Sequence, residues 1–134
     1  MPSNPYAAHI EASVLTAEPV ELVRTLYRGA LDAVSDGRAC ASAGDIAGRS
    51  AAVSKAVNIL RELAFSLNPA SEPAMARNLL ELYDYMQRCL LAAHVERSEA
   101  PLAEVAGLLA TLAEAWDQVD VPPAPENFLM QHAD

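Results

Sequence analysis

Apolar residues recur through most of the chain every three or four positions, the spacing that gathers side chains on one side of an α-helix. The densest case is the run NLLELYDYM, residues 78–86. At about 100° per residue, one face of this helix carries Leu79, Tyr83, Met86 and Leu90. A surface helix needs one apolar stripe to cover a core, yet Leu80 and Tyr85 lie on opposite flanks of that stripe. This helix therefore has apolar surface to spare for a partner.

The same spacing predicts a first helix from Pro19 to about Ala43 and a second from Asp45 to about Leu67. Proline suits a first helical turn because its missing N–H would have no partner there. Asp45 is a good N-cap because its carboxylate can accept from the first backbone amides. The side chains expected to face inward are Val23, Leu26, Tyr27, Ala30, Val34 and Cys40 on the first helix, and Ile46, Val53, Val57, Leu60, Ala64 and Leu67 on the second.

A third helix is predicted from about Glu72 to Val95, with Ser71 as its N-cap. A fourth follows Ser98, the N-cap expected there, and tolerates Pro101 in its first turn. The side chains expected to face inward on the fourth helix are Leu102, Val105, Leu109, Leu112, Ala115, Trp116 and Val119.

Short polar turns join these four helices, each of which is about 30 Å long for roughly twenty residues. Short links favour antiparallel neighbours, so we expect an all-α fold, an antiparallel up-down four-helix bundle over residues 16–119. The prolines of VPPAP, residues 121–125, cannot continue a helix. Residues 120–134 are therefore expected to be a flexible tail.

Residues 1–15 are expected to be an N-terminal arm. Tyr6, Ile10 and Val14 repeat at a spacing of four, so the arm can form a short extra helix on a suitable surface. Exposure of these side chains is unfavourable. We therefore expect an arm that packs over its own bundle and leaves when a better ligand arrives.

Composition limits the partners of this helical domain. The chain has 134 residues, of which 52% are hydrophobic, and a net charge of −9, which argues against nucleic acid and anionic membranes. No apolar run approaches the ~20 residues needed to span a bilayer, and the first residues lack the features of a signal peptide. Cys40 and Cys89 lack metal-ligand spacing and are expected to be buried, reduced thiols of a cytoplasmic protein.

No residue pattern supports an enzyme. Di-metal bundles use Glu-x-x-His motifs, which this chain lacks, and its histidines lie in the arm, at a helix end and in the tail: His9, His94 and His132. A Gly-rich phosphate loop, a Cys-x-x-Cys pair and a Gly-x-Ser-x-Gly turn are also absent. We expect no catalytic residue, no metal and no cofactor, which leaves surface for binding.

Tyrosine and asparagine side chains are the candidate binding groups. A tyrosine suits a half-buried groove because its ring is apolar and its hydroxyl is polar. Tyr27 and Tyr83 have two compatible interpretations, as core residues whose hydroxyls reach the edge of the core or as residues that line a groove. Asn58 and Asn78 border apolar sides of their helices and can bond a partner's backbone.

Five blocks of sequence occur in a characteristic order. They read NPY at 4–6, VLTAEP at 14–19, LVRTLYRGA at 22–30, NLLELYDYM at 78–86 and EAW at 114–116. Over residues 4 to about 118 the chain resembles the flagellar secretion chaperone FliS family, whose blocks are a tyrosine arm, V-x-T-A-S-P, L-V-x-x-L-Y-D-G-A, N-L-x-x-L-Y-D-Y-M and E-A-W. The chain departs from this pattern at His9, Glu18 and Arg28, where the family commonly has Tyr, Ser and Asp.

The resemblance implies a cytoplasmic export chaperone that binds the C-terminal segment of flagellin, which is disordered before assembly. Such a chaperone prevents premature polymerisation and delivers flagellin to the gate of the flagellar type III export apparatus, and other flagellar regulators are further candidate partners. The side chains expected to form the flagellin groove are Tyr6, Ile10, Val14, Leu26, Tyr27, Val57, Asn58, Leu80, Tyr83 and Tyr85. Which flank of the third helix meets flagellin stays open.

Two other functions fit an amphipathic bundle. The first is a self-associating interaction or regulatory module without flagellin cargo, whose dimer interface would contain Leu80 and Tyr83. The second is a metal-dependent bundle enzyme, which the positions of the histidines argue against.

Overall fold

The computed structural model describes residues 10–16 and 19–119. This part of the chain forms four α-helices after one short 3₁₀ turn: η1 Ala12–Val14, α1 Val20–Ser42, α2 Ile46–Phe65, α3 Pro73–Glu96 and α4 Ala100–Asp117. No β-strand occurs within these ranges. The predicted all-α class is confirmed. None of the described helices is both long enough and apolar enough to cross a bilayer.

The helices pack in chain order around a square. α1 contacts α2 and α4, and α3 contacts the same two neighbours from the opposite corner. A Cβ on Gly29 of α1 would lie 3.4 Å from Ile59 of α2, and one on Gly37 would lie 3.5 Å from Ala52. Because the partner's number falls as the first helix advances, α1 and α2 are antiparallel. The predicted up-down bundle is confirmed.

All four helices contribute to a single core. Its largest fully buried side chains are Trp116, Tyr27, Tyr83, Leu60, Leu63, Met86, Leu90, Leu102, Leu109 and Leu112. Every side chain expected to face inward on α4 is buried. On the other helices Leu26, Cys40 and Ala64 are only partly buried. Ile46 is wrong as an inward residue, because it begins α2 and projects from the rim of the bundle.

Of the three N-caps predicted from the sequence, the structure confirms one. The Asp45 carboxylate accepts from the Gly48 amide at 2.9 Å, as predicted. Ser71 and Ser98 are wrong, since the cap positions are the glutamates that follow them and neither cap makes a side-chain hydrogen bond. The Ser98 amide donates to the Ala93 carbonyl at 3.1 Å and so completes α3, and the Ser71 amide donates to the Asn68 carbonyl at 3.2 Å within a turn.

Two arginines satisfy the free carbonyls at helix C-termini. Arg24 of α1 donates to the carbonyls of Trp116 at 2.9 Å and Val119 at 2.7 Å, at the end of α4. Arg49 of α2, which is buried, donates to the carbonyl of His94 at 3.3 Å, near the end of α3. Cations are favourable at these positions because the last carbonyls carry partial negative charge. Each arginine joins two helices.

The end of the predicted arm is part of the core. Ile10, Val14 and Leu15 are buried, and Ala12–Val14 forms one 3₁₀ turn where a short helix was considered. The Thr16 amide donates to the Ser66 carbonyl at 2.8 Å, and the Asn68 amide donates to the Val14 carbonyl at 2.7 Å. α2 ends at Phe65 with Ser66 as its C-cap, two residues before the predicted Leu67, because Leu67 forms an antiparallel bridge with Leu15 of the arm.

Candidate partner-binding surface

Three aromatic side chains occupy the centre of the bundle. Tyr27 of α1 and Tyr83 of α3 are fully buried, and their hydroxyl oxygens lie 2.5 Å apart. The centroids of the Tyr27 and Trp116 rings are 6.3 Å apart. The prediction that the two hydroxyls reach the edge of the core is wrong, because each hydroxyl meets the other inside it. Helical periodicity predicts which face of the helix a residue occupies, but it does not predict how deeply the hydroxyl group of a tyrosine is buried.

Burial controls the ionisation of this pair. Burial raises the pKa of Tyr27, and hydrogen bonding to Tyr83 lowers it by less. Burial also raises the pKa of Tyr83, and the nearby Tyr27 raises it further. Both phenols are therefore neutral at physiological pH, which lets one donate to the other.

One flank of α3 is joined to α4. The Tyr85 hydroxyl donates to the Glu104 carboxylate, and this bond is the main cause of the raised pKa of Tyr85, followed by contact with Cys89. Tyr85 is 40% exposed. The ring on this flank thus keeps some surface, but its polar tip already has an intramolecular partner.

The other flank of α3 faces α2. At about 100° per residue, Leu80, Leu91 and His94 share one side of the helix. His94 accepts at Nδ1 from the Nε–H of Arg49 on α2, at 3.4 Å, which places this side beside α2. The side chains of Leu80 and Leu91 are 36% and 54% exposed. No partner helix covers this flank in the described part of the chain.

An apolar groove runs along the seam of these two helices. Ile46 and Val57 lie on the side of α2 away from Ala52 and Ile59, which face α1. We define the α2–α3 groove by Ile46, Val57, Leu80, Leu91 and Val95. Four of its five side chains are exposed, by 47% for Ile46 and 78% for Val95 at one end. Several exposed apolar side chains along one seam are typical of an interaction site.

A shallow depression lies at the other end of the groove. It has a volume of about 410 Å³ and is lined by Pro69, Pro73, Arg77, Leu80, Glu81 and Asp84. Asp84 is paired with Arg88 at 2.8 Å. Arg77 makes no ion pair with any described residue. The depression therefore offers apolar walls, the cation of Arg77 and the acids Glu81 and Asp84.

The structure distributes the ten predicted groove residues over several environments. Leu80 and Val57 belong to the α2–α3 groove. Tyr85 lies on the α4 flank, Asn58 is exposed on the outer face of α2, and Leu26 is partly buried on α1. The core holds Ile10, Val14, Tyr27 and Tyr83. Tyr6 lies outside the described residues, and the role of each residue in binding stays a prediction.

Three exposed groove residues were missing from the predicted set: Ile46, Leu91 and Val95. Leu91 shares the flank of Leu80 by periodicity, so the pattern contained the signal for it. Ile46 and Val95 begin and end their helices, where exposure depends on how far the neighbouring helix extends. Sequence periodicity does not contain that information.

The described residues contain no cluster of three or more histidine, cysteine or acidic side chains that could hold a metal ion. Cys40 and Cys89 are free and only partly buried. The four packed helices define an all-α bundle protein with an apolar face that no described helix covers. Comparison with known proteins gives the family.

The sequence profile described as "Flagellar protein FliS" matches residues 2–123. The chain belongs to this family, as the five sequence blocks predicted. It is 39% identical over 111 residues to the flagellar secretion chaperone FliS of Salmonella typhimurium, covering 82% of each chain. It is 36% identical over 115 residues to that of Bacillus subtilis, covering 86% of this chain and 85% of the relative.

The flagellar secretion chaperone FliS of Escherichia coli is 31% identical over 116 residues, covering 86% of this chain and 85% of the relative. These relatives are chaperones and not enzymes, which agrees with the expectation from the sequence.

Proposed function

We propose that this protein is a cytoplasmic chaperone that binds the C-terminal segment of flagellin. Binding would keep that segment from polymerising early and hold it for delivery to the flagellar type III export apparatus. Membership of a family of flagellar secretion chaperones supports the proposal. The single structural observation that carries it is the uncovered α2–α3 groove.

The groove has the dimensions of a site for a helix. Leu80 and Val95 are fifteen residues apart on α3, or about 22 Å at 1.5 Å per residue. An amphipathic helix of about fifteen residues fits this length and can cover the exposed side chains of Leu80, Leu91 and Ile46 with its apolar face. A cargo that is disordered when free loses entropy on binding, which lowers its affinity and suits a cargo that must be released.

The geometry favours the Leu80 flank of α3 over the Tyr85 flank. The Tyr85 hydroxyl is bonded to Glu104, so a cargo would have to compete with an existing interaction there. Leu80 has no such partner across the groove, and covering it removes apolar surface from water at about 25 cal/mol per Å². We therefore assign the first contact with flagellin to the α2–α3 groove.

The arm is a second part of the proposal. Ile10 and Val14 are buried against the bundle, and two backbone hydrogen bonds join the arm to residues 66–68, next to the depression. Cargo that extends past Leu80 would meet the arm and displace it. Contact of flagellin with the buried residues Tyr27 and Tyr83 would need the bundle itself to open.

Calorimetry with a peptide of the flagellin C-terminal segment tests the site. We expect a 1:1 complex whose dissociation constant rises about tenfold or more in Leu80→Asp and Leu91→Asp, because each places a charge in an apolar interface. Leu22→Asp is the matched control, since Leu22 is an exposed leucine of α1 outside the groove. Its affinity should equal that of the unaltered protein.

Failure of the unaltered chain to bind the peptide would refute the function. Equal affinities in all three variants would instead refute only the groove.

Delivery to the export gate and contact with other flagellar regulators extend the same proposal. They predict that the soluble domain of a gate component is retained by the chaperone–flagellin complex.

The alternative, a module that only self-associates, predicts a dimer that forms as the protein concentration rises and dissociates in the Leu80→Asp variant. An interface through Tyr83 would need the bundle to open, because Tyr83 is buried.

A further inference from the structure

We propose that residues 126–130 (ENFLM) dock in the depression at Leu80 of the same chain and cover that end of the α2–α3 groove. The segment is the most apolar part of residues 120–134, which lie outside the described residues. The docking itself does not depend on flagellin. Its consequence for cargo rests on the proposed function.

The first observation is the position of the depression. Pro69 and Pro73 belong to the connection between α2 and α3, and Leu80 follows two turns into α3. In an up-down bundle the end of α2, the start of α3, the start of α1 and the end of α4 all lie at the same end. The depression is therefore at the end of the bundle where α4 finishes.

The second observation is where the described chain stops. Arg24, near the start of α1, holds the carbonyls of Trp116 and Val119, and Val119 is buried. The residues that follow must leave from this end of the bundle. Phe128 comes nine residues after Val119, so an extended chain of about 3.1 Å per residue reaches about 28 Å. Neighbouring helices are about 10 Å apart, so the depression is within reach.

The third observation is chemical fit. The segment supplies Phe128, Leu129 and Met130 for the apolar walls and Glu126 for the cation of Arg77, and residues 120–134 contain no lysine or arginine. Two acids line the depression: Asp84 is paired with Arg88, and Glu81 makes no ion pair with a described residue. The match is therefore mainly apolar, with Arg77 as the one cation of the lining for Glu126.

The size of the depression favours a segment over a second copy. A specific protein–protein interface buries about 1,200 Å² or more, which a depression of about 410 Å³ lined by six residues does not provide. A short tethered segment needs much less area, because the link gives it an effective concentration in the millimolar range. The tethered segment and the cargo would compete for Leu80.

Amide chemical shifts from ¹⁵N NMR test the docking in the full chain. We expect Phe128→Asp to shift the amides of Arg77, Leu80, Glu81 and Asp84 and to leave the rest of the bundle unchanged. Ala133→Asp is the matched control, because it adds the same charge within residues 120–134 but outside the docking segment 126–130. A peptide of residues 120–134 added to Phe128→Asp should return those amides towards their original positions.

Identical spectra for Phe128→Asp and the unaltered chain at those four amides would overturn the docking. Shifts in the unaltered chain that grow with protein concentration would also overturn it, because they would identify a second copy as the occupant. If the segment occupies the depression at least half of the time, it competes with cargo, and the Phe128→Asp variant should bind the flagellin peptide about twofold or more tightly than the unaltered chain. The NMR measurement contains no flagellin, so its failure leaves the proposed function intact.

Discussion

The hydroxyl of Tyr27 on α1 lies 2.5 Å from the hydroxyl of Tyr83 on α3, and both side chains are fully buried. The two helices occupy opposite corners of the bundle and have few other contacts. A hydrogen bond at this position joins the two diagonally opposite helices, and it satisfies two polar groups that the core would otherwise leave without partners. The pair therefore favours one arrangement of the four helices over others of similar hydrophobic burial.

Removal of one hydroxyl should be more damaging than removal of both. Tyr27→Phe or Tyr83→Phe leaves a buried hydroxyl without its partner, and we expect each to lower the free energy of unfolding by about 1–3 kcal/mol. The double variant leaves no unpaired phenol and should lose less than the sum of the two. Denaturant unfolding in a double-mutant cycle measures the coupling. Additive losses would mean that the hydroxyls do not interact.

Alkaline pH should destabilise the bundle through the same pair. The folded pKa of each tyrosine is above the unfolded value of about 10, so the stabilisation is complete below about pH 10 and is lost as the pH rises further. Unfolding midpoints measured across this range should fall, and tyrosinate absorbance should rise together with unfolding. The Tyr27→Phe/Tyr83→Phe variant should show a shallower fall.

Arg24→Met should loosen the end of α4. The substitution keeps much of the apolar stem but removes the donors that satisfy the carbonyls of Trp116 and Val119. We expect a loss of about 1–3 kcal/mol and faster amide exchange over the last turn of α4. Arg28→Met is the control, because Arg28 is an exposed arginine of the same helix. A similar loss in both variants would rule out a specific role for Arg24.

Val14→Ala should show that the arm belongs to the folded core. Val14 is fully buried, so truncation removes apolar contact and leaves a cavity, and we expect a loss of about 1–3 kcal/mol. Ser13→Ala serves as the neighbouring control, since Ser13 is exposed. Thermal unfolding compares them. No loss in Val14→Ala would mean that the arm is dispensable for stability and contributes only to binding.

Tyr85→Phe distinguishes the two flanks of α3. It removes the bond to Glu104 and keeps the ring, so we expect little change in stability because the site is exposed. If flagellin uses the Leu80 flank, the affinity for its C-terminal peptide should stay within about twofold of the original. A fall of tenfold or more would move the cargo to the Tyr85 flank.

Local patterns predicted the helices because the signals for a helix are local. The positions of Pro19, Asp45 and Pro101 mark helix starts through backbone chemistry that acts over a few residues. The serine caps failed for a non-local reason. The amide of Ser98 is used to complete α3, the amide of Ser71 bonds to Asn68 within the preceding turn, and each helix begins one residue later with a glutamate at the cap position.

The sequence by itself determined the all-α class, the up-down order and the stripe that faces the core, because the helical period and short turns leave few alternatives. It also determined the family through its ordered blocks. Only the tertiary structure decided which apolar flank of α3 stays open, that Tyr27 and Tyr83 meet inside the core, and that Arg24 and Arg49 close the ends of neighbouring helices. These features depend on distances between helices, and residues far apart in the chain share no local signal that encodes such distances.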